Sequence, residues 1–189
     1  MPSPEHEILI EMFRERPAFA AEVLAHVLGV EVPPFQTAQL SSDELTDIAP
    51  TEYRADAVVT FSVDGRPVLA VVIEVQLRVD ARKRRSWPVY VATLHARLGC
   101  PVRLLVVCPG AAVAAWCAAA IVAGDLVLRP RVLGPRQVPL VTDPLVARDS
   151  PHLAVLSAMA HGSRPDPDPV FEALLTALSV VDQDHADLY

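Results

Sequence analysis

The chain is 189 residues long, 52% hydrophobic and 21% charged, with a net charge of −7. That length suits one domain with a substantial interior, and the acidic balance excludes a protein that coats nucleic acid through bulk charge alone. Neither a leader pattern nor a run of about twenty apolar residues occurs, so a soluble, cytoplasmic protein without membrane contact is expected. Cys100, Cys108 and Cys117 make neither an even disulfide set nor a paired zinc spacing, and read as buried thiols of a reducing compartment.

Pro4 to Glu15 places Ile8, Leu9, Met12 and Phe13 at helical spacing, with Ser3 as cap and Pro4 in the first turn. A second stripe, from Phe19 to Leu28, closes at Gly29. Pro33-Pro34 ends the helical pattern. Phe35 to Leu40 then alternates like a short edge strand, and Ser41 to Pro50 reads as an acidic loop. Arg54 to Val63 is a strand, Asp64-Gly65 a tight turn and Val68 to Gln76 a second strand, so the two form a hairpin.

The second strand is apolar until it ends on Glu74-Val75-Gln76. Side-chain alternation turns Glu74 and Gln76 to one face and Val75 to the other. A carboxylate at the end of a buried strand needs compensation, and a metal ion or other cation is the usual source. Asp56 stands eight residues before Asp64 and Glu74 nine after Gly65. The two can therefore lie opposite or diagonal to each other across the hairpin, within reach of one shared cation, and a slip of one residue at the turn decides which.

Val79 to Leu98 is a helix, kinked or restarted at Pro88, with Trp87, Val91, Leu94 and Leu98 on one side. It opens in a basic cluster: Arg78, Arg82, Lys83, Arg84 and Arg85 against Asp80 give eight residues a net +4, and Lys83 is the only lysine in the chain. Val102 to Cys108 is a buried strand, expected to run parallel to the Glu74 strand because a helix joins them. Pro109 to Val122 reads as an Ala-rich helix, Leu126 to Leu133 as a short strand, and Val138 to Val141 as one more. Helices follow at Asp143 to Ala147 and Ser150 to His161, then a Pro/Asp-rich linker from Gly162 to Pro169 and a helix from Val170 to Val181. The expected organisation is one α/β domain over 1–161, then a linker and helical segment over 162–189 that stops as Asp182 to Asp187 begins a further element, as in a truncated chain. His6, His95 and His161 read as structural histidines. Cys108 before Pro109-Gly110 has the position of a nucleophile but no base near it in sequence.

Asp56 in YRADAVVTF and Glu74-Val75-Gln76 in VVIEVQ, followed by Lys83 and Trp87-Pro88-Val89-Tyr90, resemble the PD-(D/E)XK nuclease superfamily. Within it they are similar to the Rpn and transposase-associated branch, where glutamine often follows in place of lysine. The resemblance covers about Glu52 to Cys108, with Pro4 to Leu28 compatible. It implies a restriction-endonuclease-like α/β core, a central mixed β-sheet flanked by helices in αβββαβ order, here with a helical C-terminal extension. It also implies a Mg²⁺- or Mn²⁺-dependent phosphodiester hydrolase acting on nucleic acid, with DNA expected before RNA.

The metal ligands implied are Asp56, Glu74 and the backbone carbonyl of Val75, since hard cations take oxygen ligands and keep room for phosphate and water. Where the family has its lysine this chain has Gln76, which can hydrogen-bond a water but carries no charge. Lys83 either reaches back as a relocated catalytic lysine or joins Arg78, Arg82, Arg84 and Arg85 in gripping phosphate. Two other readings stay open: a nuclease fold kept as a binding or regulatory module without turnover, and a dimerisation domain whose apolar terminal helices serve a homodimer.

Overall fold

Asp64 (φ 49°) and Gly65 (φ 74°) both take the left-handed backbone that a two-residue hairpin turn requires. The computed structural model describes residues 4–41, 54–163 and 165–180, and the turn joins antiparallel strands β1 (Ala57–Val63) and β2 (Arg66–Val75). Next to the turn, Val63 pairs with Arg66 and Ser62 with Pro67, but Phe61 pairs with Leu69. Val68 is therefore an extra residue on β2. Beyond this bulge the register runs to Ala57 opposite Ile73, which sets Asp56 level with Glu74. Without the extra residue Asp56 would stand level with Ile73 and on the other face, because one step of register turns every side chain over.

From β2 the chain enters α3 (Lys83–Leu98) and returns as β3 (Val102–Val107), parallel to β2 as a helical crossover requires. The sheet order is β1-β2-β3-β6, with β6 (Arg131–Leu133) parallel to β3. Alternate residues of the two central strands, Ala70, Val72 and Glu74 on β2 and Leu104 and Val106 on β3, are buried on one face. Trp87 and Leu94 of α3, with Ala114 and Cys117 of α4 (Ala111–Ala118), complete this core. The molecule is thus α/β, an open mixed sheet with helices against it.

α3 runs unbroken through Pro88. The ring removes a single hydrogen bond to the carbonyl four residues back, and burial of Trp87 and Leu94 on either side of it holds the helix together. The helix begins at Lys83, later than its apolar pattern, because Asp80 accepts from the Arg82 amide at 3.0 Å and forms a turn just ahead of it. α4 stops at Ala118, since β-branched Ile121 and Val122 enter a second hairpin, β4 (Ile121–Ala123) with β5 (Leu126–Leu128). The expected strand from Leu126 to Leu133 is accordingly two strands in two sheets, separated at Pro130, which has no N–H to donate. Val138 to Val141 is no strand: α6 side chains take its backbone instead, Ser157 Oγ accepting from Val141 N at 2.8 Å and His161 Nε2 meeting the Val138 carbonyl at 2.9 Å.

The chain divides into two compact units, Met1–Thr51 and Glu52–Tyr189. α7 (Asp168–Leu178) packs on α5 (Pro144–Asp149) and α6 (Pro151–His161) inside the second unit, where Ala147, Ala154, Ala173 and Ala177 let the helices approach closely around Val141. The first unit holds α1 (Pro4–Glu15) and α2 (Phe19–Glu22), which continues as a π-helical turn over Val23–Val27 and ends at Gly29 (φ 66°). Phe35 to Leu40 is not a strand: among the described residues of that unit there is no strand to pair with it, and the αβββ opening is correspondingly absent from the described order. The expected Ser3 cap, the loop over 42–50 and any element over 182–187 lie outside the described residues. No helix among the described residues is long and apolar enough to cross a membrane.

Deleting Val68 should undo the register. The Val75 amide, which donates to Asp56, should then lose its protection in hydrogen exchange and the melting temperature should fall; an undiminished Val75 protection would refute the role given to the bulge.

Candidate functional site

Glu74 is wholly buried, at 0% exposure, on the core face at the C-terminal end of β2. Its Oε2 accepts a 2.6 Å hydrogen bond from Lys83 Nζ at the first position of α3. Its Oε1 is buried too, with no hydrogen-bond partner among the described residues. Asp56, just before β1, is exposed, and its Oδ2 accepts from the Val75 amide at 2.7 Å, which ties the two ends of the hairpin together beside Glu74. Asp56, Glu74 and Lys83, predicted from positions far apart in the sequence, are thereby brought to one place.

Lys83 is balanced between opposing effects. Burial lowers its pKa, but the hydrogen bond and charge of Glu74, with smaller pulls from Tyr90 and Asp56, outweigh that and hold the ammonium above its ordinary value. Three cations open α3, Lys83, Arg84 and Arg85, with no acidic residue in that turn, against the sense of the helix dipole. For Lys83 the compensating charge is Glu74. The ring of Tyr90 lies 5.9 Å from the ammonium, and its hydroxyl donates to the Arg54 carbonyl at 3.2 Å.

Gln76 is also buried on this face. Its Nε2 donates to the Arg78 carbonyl at 2.8 Å, which fixes the orientation of the amide, and its Oε1 has no partner among the described residues. Two buried acceptor oxygens without donors, Glu74 Oε1 and Gln76 Oε1, therefore stand two residues apart on one strand face. Glu74 Oε1 together with Asp56 is a donor set that fits a hard divalent cation, which needs only one or two carboxylates when phosphate and water supply the rest. Val75, whose carbonyl is the implied third ligand, is a β2 residue half exposed to solvent. No group of three or more His, Cys, Asp or Glu side chains suited to a metal occurs among the described residues.

The four arginines expected on phosphate divide. Arg82 is bound to Asp80 through Nη2 at 3.0 Å and Nε at 3.1 Å, and the guanidinium in turn holds the Asp80 carboxyl below its usual range. Arg84 donates to the Ala120 carbonyl at 2.6 Å and stacks over Trp116, so it braces α3 against the end of α4. Arg78 and Arg85 are exposed. Trp87 is core. Cys108 is no nucleophile: it is buried and burial raises its thiol, as it does its neighbour Cys117, pushed up to about 12. His95 and His161 each contact a backbone carbonyl.

Sequence reasoning named Tyr90 but not its contact with Lys83, and missed the role of Asp80 and the Val68 bulge. Tyr90 was legible: Lys83, Trp87 and Tyr90 stand at i, i+4 and i+7, one helix face. Asp80 ahead of a helix start carries the ordinary signal of a turn residue. A bulge has no comparable signature.

Because folding raises the Lys83 pKa, the stability it lends is complete below the unfolded-chain value of about 10.4 and is lost as pH climbs through the folded-state value. Urea unfolding should show an alkaline loss of stability in the wild type that Lys83→Met lacks. At pH 7 that substitution should itself cost roughly 3 kcal/mol, by leaving a buried carboxylate without its partner. Equal stability of the two proteins would mean that Glu74 is compensated elsewhere.

Compared with family models, curated proteins and solved structures, the chain has no match in any of the three, so the functional reading rests on the site itself.

Proposed function

We propose that the protein is a metal-dependent phosphodiester hydrolase, a DNA endonuclease of the PD-(D/E)XK kind, with its site at the end of β2. The observation that carries this reading is the buried Glu74, whose Oε2 is paired to Lys83 while Oε1 stays without a partner beside Asp56. Asp56, Glu74 and the Val75 carbonyl would hold Mg²⁺ or Mn²⁺. When bound, such an ion lowers the pKa of its water and stabilises charge on phosphoryl oxygens.

Lys83 meets Glu74 as an ammonium donating at 2.6 Å, and its part is electrostatic. It offers positive charge to the phosphate as negative charge builds there. Gln76 supplies an oriented acceptor, its Oε1, for a hydrogen bond from the attacking water, while its Nε2 is held on Arg78. Arg78 and Arg85 remain exposed for phosphate. Gln76 and the Glu74–Lys83 pair equally suit a nuclease fold that binds or regulates without turnover, and magnesium separates the two: a retired scaffold binds none.

Purified protein with Mg²⁺ or Mn²⁺ should convert supercoiled plasmid to open forms. Asp56→Ala and Glu74→Ala should each abolish this, and Lys83→Met should reduce it on the order of 10²-fold. Plasmid left as intact by the wild type as by an Asp56→Ala/Glu74→Ala double variant, with no calorimetric heat on adding Mg²⁺, would favour the module without turnover.

A further inference from the structure

β6 pairs with β3 only from Leu105 to Val107, so among the described residues no strand lies beside β3 from Val102 to Leu104 on that edge. Arg131 pairs with Leu105, and Arg103, two residues before Leu105, shares its face. Such diagonal neighbours lie roughly 7–8 Å apart. Arg103, Arg129 and Arg131 line one groove at this edge, and Arg131 also lines the adjoining depression between α4 and β6, where Arg136 stands. All four side chains are exposed, and among the described residues none has an ion pair or hydrogen-bond partner. Arg103 is level with Val71, on the sheet face away from Glu74.

The net acidity of the chain does not oppose an anion here. Residues 1–51 carry two arginines against nine carboxylates and so hold the whole excess, whereas 52–189 carry fourteen basic and fourteen acidic residues. Four like charges along one edge repel one another unless an anion joins them, and guanidinium forks match phosphate oxygens. The arginines are exposed and line two adjoining open depressions, which suits several phosphates of one polymer, neutralised with counterion release, better than a single enclosed ion.

We propose that this edge binds the phosphate backbone of a nucleic acid. The inference concerns binding alone and goes beyond the hydrolase reading, standing or falling without regard to turnover. The test is fluorescence anisotropy with a labelled DNA oligonucleotide of about 30 nucleotides over a range of salt. Arg103→Gln/Arg129→Gln/Arg131→Gln should weaken binding roughly tenfold or more and lower the slope of log K against log salt by about two. Arg66→Gln/Arg97→Gln/Arg148→Gln, which removes equal charge elsewhere, should do neither, and titrations in EDTA read binding without turnover. Circular dichroism and melting temperature establish that each variant is folded. The proposal is overturned if the wild type does not bind the oligonucleotide, if the groove variant binds as the wild type does, if the control variant weakens binding as much, or if only anionic lipid vesicles are bound.

Discussion

A carboxylate taken wholly out of water and an ammonium carried to it from another element are the constraint around which the second unit is arranged. Removing both ions from water costs several kcal/mol each, and their attraction offsets that only at close range. The 2.6 Å contact between Lys83 and Glu74 meets the condition, and it can do so only if α3 begins at one residue and in one direction. Asp80 sets that start by holding Arg82, Arg84 anchors the next position on the end of α4, and Trp87 fixes the helix in the core one turn later. A buried pair of this kind contributes little net stability when compared with an apolar replacement. One carboxylate oxygen is left without a partner among the described residues, and it is on this oxygen that the proposed hydrolase reading rests.

The second dependency is register. Asp56 and Glu74 belong together only because β2 carries one residue more than β1 between the turn and the site. Hairpin turns of two residues specify a register through their backbone twist, and here that register alone would put Asp56 on the wrong face. The bulge at Val68 corrects it at a distance from the site, near the turn, where a half-exposed valine can be accommodated without disturbing the buried Ala70 and Val72 that follow.

Charge is distributed on the same logic of separation. The first unit is strongly acidic, the second neutral in sum, and within the second two groups of cations have different fates. Those at the start of α3 are largely committed: Lys83 to Glu74, Arg82 to Asp80, Arg84 to Ala120 and Trp116. Those at the β6 edge have no partners among the described residues. A cluster dense in sequence is therefore mostly structural, and a set scattered over Arg103 to Arg136 forms the freer surface.

What the amino-acid sequence determined by itself was local. Apolar runs with β-branched residues, Asp-Gly between them, a helical stripe from Trp87 and a returning apolar run dictate the hairpin, α3 and the parallel β3, because propensity, turn chemistry and burial pattern all agree there. The same agreement made Asp56, Glu74, Gln76 and Lys83 legible as candidates. What only the tertiary structure decided was everything that depends on partners distant in the chain. Phe35 to Leu40 and Val138 to Val141 alternate like strands, yet a strand exists only where another offers its hydrogen bonds, and the second of these segments is held by side chains instead. Whether Arg82 and Arg84 were free to meet phosphate depended on a turn and on the end of another helix. Whether Asp56 met Glu74 depended on one inserted residue, and whether Lys83 could reach them depended on where α3 began. Sequence spacing carries none of these, because each is a distance between elements that burial and hydrogen bonding settle only when the whole unit packs.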